Sequence, residues 1–184
     1  ATYLGPTHEF VDRSYAAIAE LLVRLRRPAE ALPYAERAME VTGRRVGRVH
    51  TLYARELSRL GQIHLILGDP VAAIPWLEEG AAVRRELGHA ALGNALEGLG
   101  AAYLSAGRHA EALEALEESL ERTRPSLDRA RLEGRIGTVY EQMGEMATAI
   151  PILTRSLEAL EAEYPADHPV PSSVRRALER ARAG

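Results

Sequence analysis

Residues 96–116 read Leu-Glu-Gly-Leu-Gly-Ala-Ala-Tyr-Leu-Ser-Ala-Gly-Arg-His-Ala-Glu-Ala-Leu-Glu-Ala-Leu. Leu96, Leu99, Gly100 and Tyr103 fall at i, i+3, i+4 and i+7, which predicts one apolar stripe on one helix. A small residue inside that stripe lets a neighbouring helix approach closely. Gly107, seven residues after Gly100, suits the left-handed residue that ends a helix. Beyond it, Ala112 and Leu116 begin the stripe of a second helix.

Working outward, the pattern repeats. Gly61 and Gly68 precede this stretch and Gly137 and Gly144 follow it, with the same seven-residue gap and shifts of 39 and 37 residues. Leu57, Leu60, Gly61 and His64 copy the first stripe. Ala73, Leu77 and Gly80, then Ala149, Leu153 and Ser156, copy the second, as Ala112, Leu116 and Ser119 do here. An earlier copy supplies Ala31, Ala35 and Ala38. It carries Ala19 and Arg26 where the glycines stand elsewhere, and Glu133 occupies a position expected to be apolar. Gly68-Asp69-Pro70 reads as helix stop, N-cap and first helical residue. Self-similarity at a fixed period marks stacked supersecondary units, none of which can bury its apolar face alone.

These residues resemble tetratricopeptide repeats, with their Leu-Gly, a Tyr three residues on, a later Ala, and an aromatic or Leu four beyond it. Leu99-Gly100, Tyr103, Ala112 and Leu116 form the best copy. The resemblance implies an all-α fold: a right-handed superhelical stack of about four helix hairpins, near 12–45, 54–87, 93–126 and 130–163, in a single domain over 1–184. Spacings of 37 to 42 residues resemble the long-spaced bacterial variants beside signalling domains. After the last repeat, Ser172 or Ser173 is expected to cap a final helix over 172–183. Its apolar stripe is Val174, Ala177, Leu178 and Ala181, and Arg175, Arg176, Arg180 and Arg182 make a solvating outer face. Pro33, Pro75 and Pro151 each lie two residues after the repeat Ala. We read them as a mark of duplication that bends the helix mildly, not as a binding feature.

Composition agrees with a helical chain. Its 184 residues are 46% hydrophobic but only 5% aromatic, with Ala and Leu prominent. The absence of Cys excludes disulfides and thiolate chemistry. All 23 basic residues are Arg, a bias of codon usage, and a net charge of −3 argues against nucleic acid. The basic clusters Arg24, Arg26 and Arg27, and Arg44, Arg45 and Arg48, have acidic neighbours or lie in linkers and lack interleaved aromatics. No run is apolar enough for a membrane span, so a cytoplasmic location is expected. The opening Ala-Thr-Tyr-Leu-Gly-Pro-Thr-His-Glu-Phe reads as the interior of a longer protein.

Catalytic motifs are missing, so no enzyme, cofactor or metal is predicted. His8, His50, His64, His89, His109 and His168 form no i, i+4 pair, and His64 is expected to be a hydrogen-bonded interior residue. Glycines 93 to 100 fall within a helix rather than a phosphate loop. Glu78-Glu79 and Glu117-Glu118 fall on outward faces.

The resemblance also implies where a partner binds, because the first helices of such repeats line a concave groove. Its groove positions carry over to Arg13, Glu20, Arg55, Ser58, Arg59, Gln62, Asn94, Glu97, Arg131, Arg135, Thr138 and Glu141. Arg55 with Arg59, and Arg131 with Arg135, are i, i+4 pairs able to hold carboxylates bidentately. They resemble part of the two-carboxylate clamp of chaperone-binding tetratricopeptide domains, although Gln62, Ala101 and Thr138 replace its Asn. The expected function is protein or peptide binding, with an acidic partner, a second copy or an intramolecular domain as occupant. The alternative is a C-terminal sensory or regulatory region of a larger bacterial transcription regulator or signalling ATPase.

Overall fold

A turn of one construction ends the first helix of each hairpin, at Arg26, Gly68, Gly107 and Gly144, and Gly88 with His89 repeats it after Glu86. At each, a residue in the left-handed region sends its N–H to a carbonyl three residues back, and the next N–H reaches five back. Gly68 bonds Leu65 and Asp69 bonds His64; Gly107 and Arg108 bond Leu104 and Tyr103; Gly144 and Glu145 bond Glu141 and Tyr140. Arg26 and Arg27 do the same with Val23 and Leu22, and Arg26 adopts φ 61° with a full side chain. Gly68, Gly107 and Gly144 stand at φ 79°, 73° and 80°. These bonds satisfy carbonyls that a helix end would otherwise leave open.

The computed structural model describes residues 9–124, 126–165 and 167–183. His8 and the opening residues 1–8 lie outside that range. The described residues form helices α1 (Glu9–Arg24), α2 (Pro28–Val46), α3 (Thr51–Ile66), α4 (Pro70–Glu86) and α5 (Leu92–Ser105). They continue as α6 (His109–Glu121), α7 (Leu127–Gln142), α8 (Met146–Glu161) and α9 (Pro169–Ala183), with no strand among them. The expected all-α hairpin pattern is thus present. The chain divides into two compact units, Ala1–Ala102 and Tyr103–Gly184, with the boundary inside α5.

In the first unit α1 packs on α2, α2 on α3, and α3 on α4. Ala19, Ala31, Ala35, Leu60 and Ile63 form one buried cluster, backed by Leu22, Val23, Leu32, Met39 and Trp76. In the second, α7 packs on α6, α8 and α9, and α9 also on α8, around Ala149, Leu153, Leu160, Val174, Ala177 and Leu178. The repeat glycines sit where helices touch. A Cβ on Gly61 would lie 2.5 Å from Leu77 Cγ, and one on Gly137 would lie 2.8 Å from Leu153 Cγ. In these two repeats the Gly and the Leu are therefore a lock and its key.

Pro33, Pro75 and Pro151 are each the sixth residue of α2, α4 and α8, past the first turn, so each removes a helical hydrogen bond. All three are exposed.

Two expectations need correction. The final helix starts at Pro169, not at 172, because the first N–H groups of a helix have no acceptor and proline sacrifices nothing there. His168 Nδ1 accepts from the Val170 N–H, while Ser173 Oγ donates to the Val170 carbonyl and caps nothing. His64 is half-buried, and its ring has no hydrogen bond among the described residues. Glu133, in its apolar position, is kept by Arg129 and Arg155, both at 3.3 Å.

Candidate functional site

The groove residues predicted on α1 and α3 answer one another. Arg55 and Arg59 both turn onto Glu56, at 2.9 and 3.1 Å, and the Glu56 side chain is only 1% exposed. Arg59 also reaches Glu20 at 3.6 Å, and Glu20 holds Arg24 at 2.6 Å. Glu20, Arg59 and Gln62 border a cleft of about 90 Å³ with Ala19, Val23, Ile63 and Ile66. Ser58 is tied to its own helix through the Ala54 carbonyl, and Arg13 lies exposed on α1. On α5, Asn94 is exposed and Glu97 half-buried. The i, i+4 arginine pair of this unit is therefore occupied by an internal acid. Glu56 itself is absent from the predicted set because a lone Glu between two Arg reads as a solvated helix face.

The second unit arranges its residues differently. A cavity of about 400 Å³ opens among the end of α5, α7 and α9, lined by Leu104, Gly134, Val170, Ser173 and Val174. Thr138 and four arginines, Arg131, Arg135, Arg176 and Arg180, complete the wall, and no carboxylate lines it. Arg131 bonds Asp128 at 3.2 Å. Thr138 donates to the Gly134 carbonyl. Arg176 is exposed and has no ion pair among the described residues. Glu141, predicted to face the groove, is instead gripped bidentately by Arg180 at 2.9 and 2.8 Å, which raises the guanidinium pKa. Gly134 is what lets α9 come this near, since a Cβ there would lie 2.7 Å from Val174 Cγ2.

The α9 arginines thus differ from their predicted role. Arg175 pairs with Glu161, Arg180 with Glu141, and Arg176 and Arg180 form a cavity wall; only the remaining face is a solvating one. The signal was legible as an i, i+4 Arg pair on α9, but no sequence pattern fixes which face of a terminal helix turns inward. Elsewhere the basic clusters are neutralised: Arg27 by Glu30, Arg44 by Glu40, Arg45 by Asp12 and Arg48 by Glu79. Glu79, expected to point outward, also accepts from the Tyr53 hydroxyl at 3.2 Å. Three histidines make local contacts: His50 Nδ1 accepts from the Leu52 N–H, His89 Nδ1 from the Ala91 N–H, and His109 meets Gln142. Among the described residues no cluster of acids and histidines fits a metal.

Two tetratricopeptide-repeat family models match the sequence, one over residues 52–124 and one over 13–52. The chain is a tetratricopeptide-repeat (TPR) protein. Solved structures agree with the TPR fold along nearly its whole length. A Podosopora anserina kinesin light chain protein with nearly identical TPR-like repeats aligns at TM-score 0.77 and 18% identity, covering 98% of this chain and 88% of that one. Aspartyl phosphate phosphatase F from Bacillus subtilis aligns at 0.78 and 13%, over 99% of this chain and 47% of that one. MamA aligns at 0.64 and 17%, over 98% and 92%. Among curated proteins, none matches in sequence. TPR repeats are generally non-enzymatic scaffolds that bind proteins or peptides, and neither matching family model is catalytic. No helix among the described residues is long and apolar enough to cross a membrane.

Proposed function

We propose that this TPR chain is an interaction module that takes an acidic segment of a protein partner into the α7/α9 cavity. The observation that carries the reading is the cavity wall, four arginines with no carboxylate among the lining residues. Leu104, Val170 and Val174 give the same wall an apolar share, which suits a peptide with mixed side chains over a bare ion. Guanidinium groups recognise carboxylates in bidentate geometry, and Arg176 brings an exposed one. The first unit contributes less, because Glu56 already occupies Arg55 and Arg59. The neutralised basic clusters elsewhere favour a protein partner over nucleic acid.

The test is fluorescence anisotropy with labelled Asp/Glu-rich decapeptides and matched Asn/Gln versions. The acidic set should bind with a steep salt dependence, and Arg135→Glu or Arg176→Glu should each weaken it about tenfold or more, with helicity by circular dichroism unchanged. Equal binding of the acidic and amide peptides, or unchanged affinity in both variants, would remove the cavity from the account.

A further inference from the structure

One strip of α1 carries exposed apolar side chains. Phe10, Ile18, Leu21 and Leu25 are 54%, 39%, 57% and 54% exposed. At 100° per residue, Phe10, Ala17, Ile18 and Leu21, and Leu25 just past the helix end, fall within an arc of about 100°, which Ser14 shares. A shallow depression of about 230 Å³ lies there, bordered by Ala17, Leu21 and the Glu20–Arg24 ion pair. Monomeric proteins seldom leave such a stripe open without a use.

The repeat states what the stripe is for. Ala19 and Arg26 correspond to Gly61 and Gly68, so Ile18 and Leu21 correspond to Leu60 and Ile63 on α3. Those two are 0% and 1% exposed, sealed against Ala31 and Ala35 of α2. The same positions on α5, Leu99 and Ala102, and on α7, Ile136 and Val139, are buried as well. On α3 this face is covered by α2, the helix that precedes it in sequence, and α6 likewise packs on α7. The face of α3 is thus covered from the N-terminal direction, and α1 keeps the residues for the same cover.

We infer that the outer face of α1 is a stacking surface for one further helical hairpin of this repeat type, carried ahead of α1 on the same polypeptide and seated as α2 is on α3. The hairpins on either side of the Gly47–His50 linker follow each other within four residues, and that short tether fixes the register. A second copy seated through α9 is disfavoured, because the exposed residues of α9 include Ser173, Arg176, Glu179, Arg180 and Arg182, which offer no matching apolar stripe.

The test is a full-length chain in which residues 9–50 occur twice in tandem, which places a copy of α2 and its linker directly before α1, with Glu9 in the place of Thr51. Amides of the second α1 should exchange about tenfold more slowly than those of α1 in the parent chain, and the thermal midpoint should rise. Leu21→Glu in the second copy should abolish both gains while moving the parent chain's midpoint by no more than about 2 °C. Unchanged exchange in the tandem chain would overturn the inference. So would a parent chain that is dimeric by light scattering and made monomeric by Leu21→Glu, since the occupant would then be a second copy.

Discussion

Arg59 meets Glu56 one helical turn before it on α3, at 3.1 Å, and that carboxylate is shut from solvent while Arg59 is only partly exposed. The pair decides what the first unit's arginines are for. A buried acid needs its cations, and removing one partner leaves an uncompensated charge inside. Arg59→Glu would set a third carboxylate beside those of Glu56 and Glu20. We expect a loss of about 2 kcal/mol or more, seen as a fall of roughly 4–8 °C in thermal midpoint. Arg59→Met, with comparable volume and no charge, should lose less. A reversal that leaves the midpoint unchanged would show that Glu56 is not held by Arg59.

Arg26 occupies a left-handed position, at φ 61°, that glycine fills at the corresponding turn of each later hairpin. Its side chain is exposed and has no polar partner among the described residues to offset the backbone strain, which runs to about 1–2 kcal/mol for residues with a Cβ. Arg26→Gly should therefore raise stability by about 0.5–1 kcal/mol in urea unfolding, after glycine's extra freedom in the unfolded chain is set against it. A destabilised variant would mean that the Arg26 side chain makes a contribution the turn geometry does not suggest.

These positions also show what a reader of the sequence can and cannot see. The αL turns, the small residues at helix contacts and the helix pairs were legible because their signals are local in sequence and recur. The left-handed Arg26 was locatable only by its register against Gly68. The burial of Glu56 is a matter of tertiary packing, the capture of Glu141 by Arg180 joins residues 39 positions apart, and the inward turn of Arg176 depends on the roll of a terminal helix, none of which local spacing encodes. The residues predicted for the groove lie on α1, α3, α5 and α7, and the partners that several of them take were not foreseen.

Gly134 and Gly98 are both inside helices, and their neighbourhoods predict opposite signs. A Cβ on Gly134 would lie 2.6 Å from Ser156 Oγ, which donates to the Ala130 carbonyl at 2.7 Å, and 2.7 Å from Val174 on α9. Around Gly98 there is nothing within 4 Å. Gly98→Ala should stabilise by about 0.5–1 kcal/mol through helix propensity. Gly134→Ala should lose about 1–3 kcal/mol to overpacking despite the same propensity gain, and should weaken any ligand of the α7/α9 cavity by displacing α9. Paired urea titrations read both signs, and equal shifts would contradict the close approach of α9.

Asp12 supplies a pH dependence. Burial pushes its carboxyl pKa up, but hydrogen bonds from Arg45, the Arg13 backbone N–H and Thr42, with the Arg45 charge, outweigh burial and hold it below the ordinary value. Arg45 bonds one carboxylate oxygen at 3.0 and 2.6 Å, and Thr42 the same oxygen at 3.1 Å. A carboxyl with a lower pKa folded than unfolded adds stability above its unfolded value near 3.8 and loses it as pH falls through the folded value. Wild type should therefore exceed Asp12→Asn by about 1–2 kcal/mol at pH 7, and the difference should shrink below about pH 4. Urea midpoints of both chains from pH 7 to pH 2.5 measure it. Because other carboxylates titrate alike in the two proteins, the difference isolates Asp12, and a gap that stays constant to pH 2.5 would show that the link between α1 and α2 does not depend on its charge.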